Sequence, residues 1–308
     1  MPARRGGTRP LAAAAILAGL AHGALAWGAG AGAVVLVRSR SLPEYDLVAA
    51  GFRHAYARAV TEIPLEEGAA GQAGQRLEAA RPSVVLAIGS RAAQFVRERL
   101  PRVPLVFCAV APAQRADLVG EWVTGVATEV SPGSALHSFK TVLPGLRRIA
   151  VFYGRASGRE FARAARAAAA REGLELEEVA LESLSELAPR ARAVIRGVDA
   201  LWLPPDATVA TPEAFQFLLD LSLGTRRPLF AFSEPLARAG ALLTVSPDYA
   251  AAGAEAAAAV LRIDGGERAG DIPIAAVDHV QLVVNRATAR AIGCELPAGL
   301  EASAEIVP

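Results

Sequence analysis

Val84-Val85-Leu86-Ala87-Ile88-Gly89-Ser90-Arg91 is the stretch on which the fold of this chain turns. An apolar run with no polar alternation is a strand buried on both faces, which is how the strands of a parallel sheet read. Gly89-Ser90 ends the run where helical spacing begins, and the pattern predicts a strand over 83–88 and a helix over 92–100. Strand, tight break, helix is the repeating unit of an α/β protein.

The unit recurs outward from that point. Upstream, 33–37 reads as a buried strand, and 45–60 as a helix carried by Leu47, Phe52, Tyr56 and Val60. Downstream, 104–109 and 122–127 read as strands. Ser131-Pro132 opens a helix through 143, with Ser131 as N-cap and Pro132 in the first turn. The series then begins again with a strand at 148–153, a helix at 159–172 and a strand at 174–181. A helix at 183–195 is expected to break at Pro189. Strands at 200–203, 228–232 and 240–245 follow, with a helix at 212–223 between the first two. After Asp248-Tyr249 a helix runs to 263, Gly265-Gly266 turns the chain, and a last strand covers 279–284. Two successive series predict two similar lobes rather than one very wide sheet. The late segments read as crossings that return to each lobe and make a multi-strand hinge.

Composition agrees with a large buried core. Of 308 residues, 53% are hydrophobic and 20% charged, which excludes bulk disorder. The formal charge is +1, and loss of Arg4, Arg5 and Arg9 with a leader leaves about −2. No basic stripe with interleaved aromatics is present, so no nucleic-acid partner is expected. Cys108 and Cys294 make no disulfide framework, and no His or Cys spacing fits a zinc site, so neither metal nor cofactor is expected. The arginines, an apolar stretch from Leu11 to Leu20, and Ala24-Leu25-Ala26 read as a signal peptide over 1–26, with Trp27 first in the mature chain. Ala29-Gly30-Ala31 is a second candidate cleavage site. The apolar stretch is short for a membrane span of about 20 residues. With no cysteine near the site, the product is expected to be periplasmic and not lipid-anchored.

In open parallel sheets, ligands sit beyond the carboxyl ends of the strands. That rule alone selects Ser39 after the first strand, and Ser90 and Arg91 after the second, at a helix N-terminus suited to an anion. Ser90 reads equally as an ordinary N-cap. In the second series it selects Tyr153, Arg155 and Ser157, then Asp206 and Thr208, then Ser233 and Glu234, and Asp248 at a crossing. Tyr153 is placed to stack on a planar ligand, and Arg155 either pairs with an acid or faces solvent. Asp206 follows a buried strand and is the strongest single candidate for receiving an amine or hydroxyl. Its competing role, capping the next helix, suits Thr211 better, directly before Pro212. Trp202 reads as core.

At this point the chain resembles the ABC transporter substrate-binding proteins, in the branch whose members bind aromatic amino acids. The matching stretches are Val84 to Ser90, Val103-Pro104-Leu105-Val106-Phe107, Val123-Thr124-Gly125-Val126 and Leu143-Pro144 with Ile149-Ala150-Val151-Phe152-Tyr153. Asp199-Ala200-Leu201-Trp202-Leu203-Pro204-Pro205-Asp206, Gly240-Ala241-Leu242-Leu243, Leu282-Val283-Val284-Asn285 and Ala289 to Gly293 complete them, in the family's order over about 33–297. The resemblance implies a type I periplasmic-binding-protein fold, with one lobe at 33–146 plus 249–270 and the other at 147–248 plus 271–308. It implies a monomeric, non-enzymatic receptor that closes like a hinge on a small-molecule ligand and presents it to an ABC permease. It also places Asp206 in the cleft. Near Ala111 the family usually has a polar residue, whereas this chain offers only apolar groups and Gln114. That departure weighs against aromatic amino-acid specificity.

Other readings fit less well. Ala87-Ile88-Gly89-Ser90-Arg91-Ala92 lacks the first glycine of a serine-hydrolase elbow, and no histidine sits at a strand end beside a nucleophile. A repressor would need a DNA-binding helix-turn-helix where the leader stands. A periplasmic sensor reporting to a membrane receptor or kinase would share fold and cleft, and remains the alternative.

Overall fold

The computed structural model describes residues 33–66, 68–277 and 279–308. The expected leader over 1–26 and both cleavage sites lie outside the described residues.

The first series forms β1 (Val34–Arg38), α1 (Pro43–Tyr56), β2 (Val60–Pro64), α2 (Ala70–Ala79), β3 (Val84–Ile88), α3 (Ser90–Arg99), β4 (Leu105–Cys108), α4 (Pro112–Arg115) and β5 (Val123–Ala127). The second forms α5 (Pro132–Val142), β6 (Arg148–Gly154), α6 (Arg159–Glu172), β7 (Glu175–Leu181), α7 (Leu187–Val194), β8 (Ala200–Trp202), α8 (Pro212–Thr225), β9 (Leu229–Ala231), α9 (Glu234–Arg238) and β10 (Leu243–Pro247). Then come α10 (Tyr249–Asp264), β11 (Ala275–Ala276), β12 (Val280–Asn285), α11 (Arg286–Ile292) and β13 (Glu305–Val307). A six-stranded sheet runs β11-β5-β4-β3-β1-β2, and a seven-stranded sheet runs β13-β12-β10-β9-β8-β6-β7. All pairings are parallel except β10 with β12.

Successive strand residues point to opposite faces, so each sheet has two cores. On the first sheet, Leu36, Leu86 and Val106 meet Phe52 of α1 and Ala256 and Val260 of α10. On its other face Val35, Val85 and Phe107 meet Leu77 of α2 and Val96 of α3. On the second sheet, Val151, Trp202 and Phe230 pack on Leu136 and Phe139 of α5 and Ala165 of α6. Opposite them, Ala150, Phe152 and Leu201 pack on Leu187 of α7 and Leu218 of α8.

The expected elements shift in three places. The helix over 45–60 stops at Tyr56, where Ala57 turns into the left-handed region (φ +53). Val60 instead opens β2, which pairs with β1 at the edge of the sheet. Pro189 does not break a helix but sits in the first turn of α7, where a missing N–H does no harm. Finally, α5 packs on the second sheet, so the chain leaves the first sheet near 128 rather than at 146. Likewise β11 pairs with β5, and Thr124 Oγ1 donates to the Ile272 carbonyl at 2.9 Å. The return to the second sheet therefore falls after residue 276, not at 271.

The chain thus crosses between sheets at 128–131, at Asp248, and between the end of β11 and the start of β12. Connectors this short leave the strand ends they join little freedom. Each joins the carboxyl edge of the first sheet to the edge of the second where its parallel strands end and antiparallel β12 begins. The two carboxyl edges consequently face each other. On the first sheet, α10 packs closely on α1. A Cβ on Gly253 would lie 2.1 Å from the Val48 carbonyl oxygen, so only glycine allows the two backbones to touch.

Candidate functional site

On the first edge, β3 ends in Gly89 at φ +91, a conformation that L side chains rarely adopt. A Cβ there would lie 2.6 Å from Ser39 Oγ and 2.7 Å from the Tyr45 hydroxyl. The turn opens α3 with Gly89 as its N-cap. Ser39 supplies the missing cap from the next strand, its Oγ accepting the Ala92 N–H at 2.9 Å. Ser39 is buried and structural. Ser90 is not a cap either, because its Oγ accepts the Ala111 N–H at 3.2 Å and ties the end of β3 to the loop after β4. An accepting hydroxyl keeps its own proton to donate. The exposed Arg91 reaches the Glu66 carbonyl, at 3.4 Å. Ala109, directly after β4, is also left-handed at φ +54, a strain of about 1–2 kcal/mol for a residue with a Cβ.

On the second edge, Asp206 is a clamp. Its Oδ1 accepts the Gly154 N–H at 3.0 Å and the Thr208 N–H at 2.9 Å, and its Oδ2 accepts the Ser157 hydroxyl at 2.7 Å. The structure thus brings together Ser157, Asp206 and Thr208 from the loops after β6 and β8. Thr211 caps α8, its Oγ1 accepting the Ala214 N–H at 3.2 Å.

Tyr153, Arg155 and Glu234 are engaged elsewhere. Tyr153 is buried; its hydroxyl donates to Glu178 Oε2 at 2.7 Å and its ring meets Phe161 edge-on, so it is not available to stack on a ligand. Arg155 pairs with Glu182 at 2.5 Å across the loops after β6 and β7. Glu234 accepts from Arg238 Nε at 2.7 Å, and Arg238 also reaches Glu305. Ser233 precedes α9 without a side-chain cap bond. Asp248 caps α10, accepting the Ala251 N–H at 2.9 Å. It also lines a cavity of about 590 Å³, with Leu47, Tyr249, Val280 and Gln281 among the walls. Of the candidates named from the sequence, only Asp248 touches that space.

Two tyrosines not singled out from the sequence also stand at the first edge. Tyr45 in the first turn of α1 and Tyr249 at the start of α10 are partly buried against the cluster that holds Ile88 and Cys108. Burial raises the Tyr45 pKa, opposed by Arg40 and reinforced by Glu44 and Cys108. Burial pushes Tyr249 up to about 12, with Glu44, Tyr45, Cys108 and Glu129 adding to it. An aromatic residue in the first turn of a helix that follows a strand end was the available signal.

Cys108 is a buried free thiol pushed up to about 12 by burial, and Cys294 is also free, so no bridge joins them. Among the described residues no cluster of His, Cys, Asp or Glu could hold a metal ion, and no helix is long and apolar enough to cross a membrane.

Two mainly parallel α/β sheets with facing carboxyl edges and three crossings define a type I periplasmic-binding fold. The chain belongs to the ABC transporter substrate binding protein family, whose profile matches residues 65–307. It is 22% identical over 220 residues to a tyrosine-binding protein of Clostridioides difficile (strain R20291). That match covers 69% of this chain and 63% of the relative, less than two thirds of the relative's length. Among solved structures, the chain resembles the ligand-free, open form of a substrate-binding protein with adhesive properties from Clostridium difficile. The TM-score is 0.76 at 19% identity, over 90% of this chain and 99% of that one. It also resembles an ABC domain in complex with L-Trp from Streptococcus pneumonia, with TM-score 0.63 and 21% identity over 90% and 99% of the chains.

Proposed function

We propose that this protein is the extracytoplasmic receptor of an ABC importer. It captures a small amino-acid-like metabolite between two lobes, closes as a hinge, and presents the closed form to an inner-membrane permease. The observation that carries this reading is the pair of facing carboxyl edges, each lined with helix N-termini and polar side chains, in a chain of this family. On the first edge, the first two N–H groups of α3 have no carbonyl within their own helix to bond and attract an anion, the third being held by Ser39. Ser90 and Arg91 stand beside them. On the second edge, Asp206 accepts three hydrogen bonds and, with about four acceptor sites on a carboxylate, retains room for an amine or hydroxyl of the ligand. Arg155, already paired with Glu182, is not assigned to the ligand. The reading includes export by the 1–26 leader, a monomeric periplasmic product and no chemical step on the ligand.

A thermal-shift screen of the chain from Trp27 against amino acids, nucleosides, sugars and organic acids tests it. A ligand at 100 times its Kd adds about 2.7 kcal/mol and raises the midpoint visibly. A hit that also reduces the radius of gyration supports capture by closure. Silence across all classes, or binding without compaction, counts against it.

A further inference from the structure

The cavity of about 590 Å³ lies apart from the strand-end loops. No residue of the loops that follow β1, β3, β4, β6, β8 or β9 lines it. Its walls come instead from both sides of the crossings. Leu47 of α1 and Tyr249 of α10 belong with the first sheet, while Val280 and Leu282 of β12, with residues 301–305 leading into β13, belong with the second. Beside it the Asp248 N–H donates to the His279 carbonyl at 3.1 Å, which ties two of the crossings together. The volume is within the range of small-molecule pockets.

What suits this space follows from its lining. Leu47, Val280 and Leu282 give it apolar walls, and Leu47 is 45% exposed, area that an apolar guest would cover. Three carboxylates, Asp248, Glu301 and Glu305, share the lining, and among the described residues no arginine, lysine or histidine does. Each acid already accepts a hydrogen bond from outside the cavity wall. Asp248 accepts the Ala251 N–H at 2.9 Å, Glu301 accepts from Arg286 at 3.1 Å, and Glu305 from Arg238 at 2.8 Å. With about four acceptor positions on a carboxylate, all three keep room for a further donor. The Tyr249 hydroxyl, which has no hydrogen-bond partner among the described residues, adds another acceptor. Carboxylates that share one space repel, and a cation between them relieves the repulsion.

We propose that this cavity is a second binding site, separate from the cleft at the strand ends, and that it takes a small organic cation: an amine or guanidinium on an apolar body. Such a guest touches the helices of the first sheet and the last strands of the second at once, so it resists a change in the angle between them. The site does not depend on the receptor reading.

The test is methyl NMR of the protein labelled at leucine and valine, titrated with 4-phenylbutylamine, its neutral counterpart 4-phenylbutanol and its anionic counterpart 4-phenylbutyrate. The amine should shift the Leu47, Val280 and Leu282 methyls, and the other two compounds should not. Glu301→Gln and Glu305→Gln should each weaken the amine about two- to fivefold, as the loss of a partly exposed ion pair does, and added salt should weaken it too. Leu47→Trp fills the cavity from an exposed position and leaves the acids alone; it should abolish the shifts at Val280 and Leu282 without lowering Tm. An equal response to all three compounds would overturn the proposal. So would shifts confined to methyls of the strand-end loops, such as Val110 and Val209, or unchanged affinity in Leu47→Trp or in the double Gln variant. No response to the amine would overturn it as well, while the receptor reading stands or falls separately on the thermal-shift screen.

Discussion

Asp206 joins the loop after β6 to the loop after β8 through three donors, so its removal strands two backbone N–H groups and a hydroxyl. Asp206→Ala should therefore lower the unfolding free energy by about 1–3 kcal/mol in urea titrations, and Asp206→Asn, which keeps one acceptor oxygen, by less. Ligand affinity should fall with either. Ser157→Ala should cost less than Asp206→Ala, because Gly154 and Thr208 stay held. At Gly89 the prediction is harsher. Alanine meets a positive φ and collides with Ser39 Oγ and the Tyr45 hydroxyl, so Gly89→Ala should destabilise by more than the roughly 1 kcal/mol of an ordinary glycine replacement. Sequence reading found which side chains stand at strand ends, because strand ends are legible from apolar runs. It did not find which polar atoms are already engaged. The partners of Tyr153 and Arg155 are Glu178 and Glu182, on or just beyond the neighbouring strand β7, and become visible only once the strands are paired.

At the level of elements, α3 depends on a cap from another strand. Ser39→Ala removes the acceptor of the Ala92 N–H and should cost about 1 kcal/mol, read as faster amide exchange at Ala92 than at the middle of α3. Between β7 and α6, the hydrogen bond from Arg166 holds the Glu178 carboxyl below its ordinary range, with burial opposing and Tyr153 assisting. A carboxyl depressed in the folded state stabilises fully above its unfolded pKa of about 4.3, and that contribution is lost as pH falls further. The Tm of the wild type should therefore drop between pH 5 and 3 more steeply than that of Glu178→Gln. Most elements were legible because parallel strands are short apolar runs between helices. The edge strand β2 was not, since its half-exposed residues carry no such run and Val60 continued the helical spacing of α1. The terminal strand β13 is shorter still, at three residues, and also half-exposed.

For the whole molecule, the two-lobe organisation followed from the repeated strand–helix series, but the points of crossing did not. A helix after the fifth strand looks like the last cover of the first sheet. Only packing reveals that Leu136 and Phe139 of α5 belong beneath Trp202 and Phe230. The helix that does cover the first sheet late in the chain is α10, locked to α1 by backbone contact at Gly51 and Gly253. Gly253→Ala should force those backbones apart and lower Tm, a cost of about 1–3 kcal/mol in urea.

That arrangement carries a consequence in time. As the chain emerges from the ribosome, β1 to β5 are complete on the order of a hundred residues before α10 arrives to cover one face of their sheet. At about 5–20 residues per second, that face stays open for roughly 6–25 s. Until then α1 covers that face without the helix it packs against. On the export reading proposed above, a fold that closes last where it began keeps the chain in a transportable state until α10 has been made.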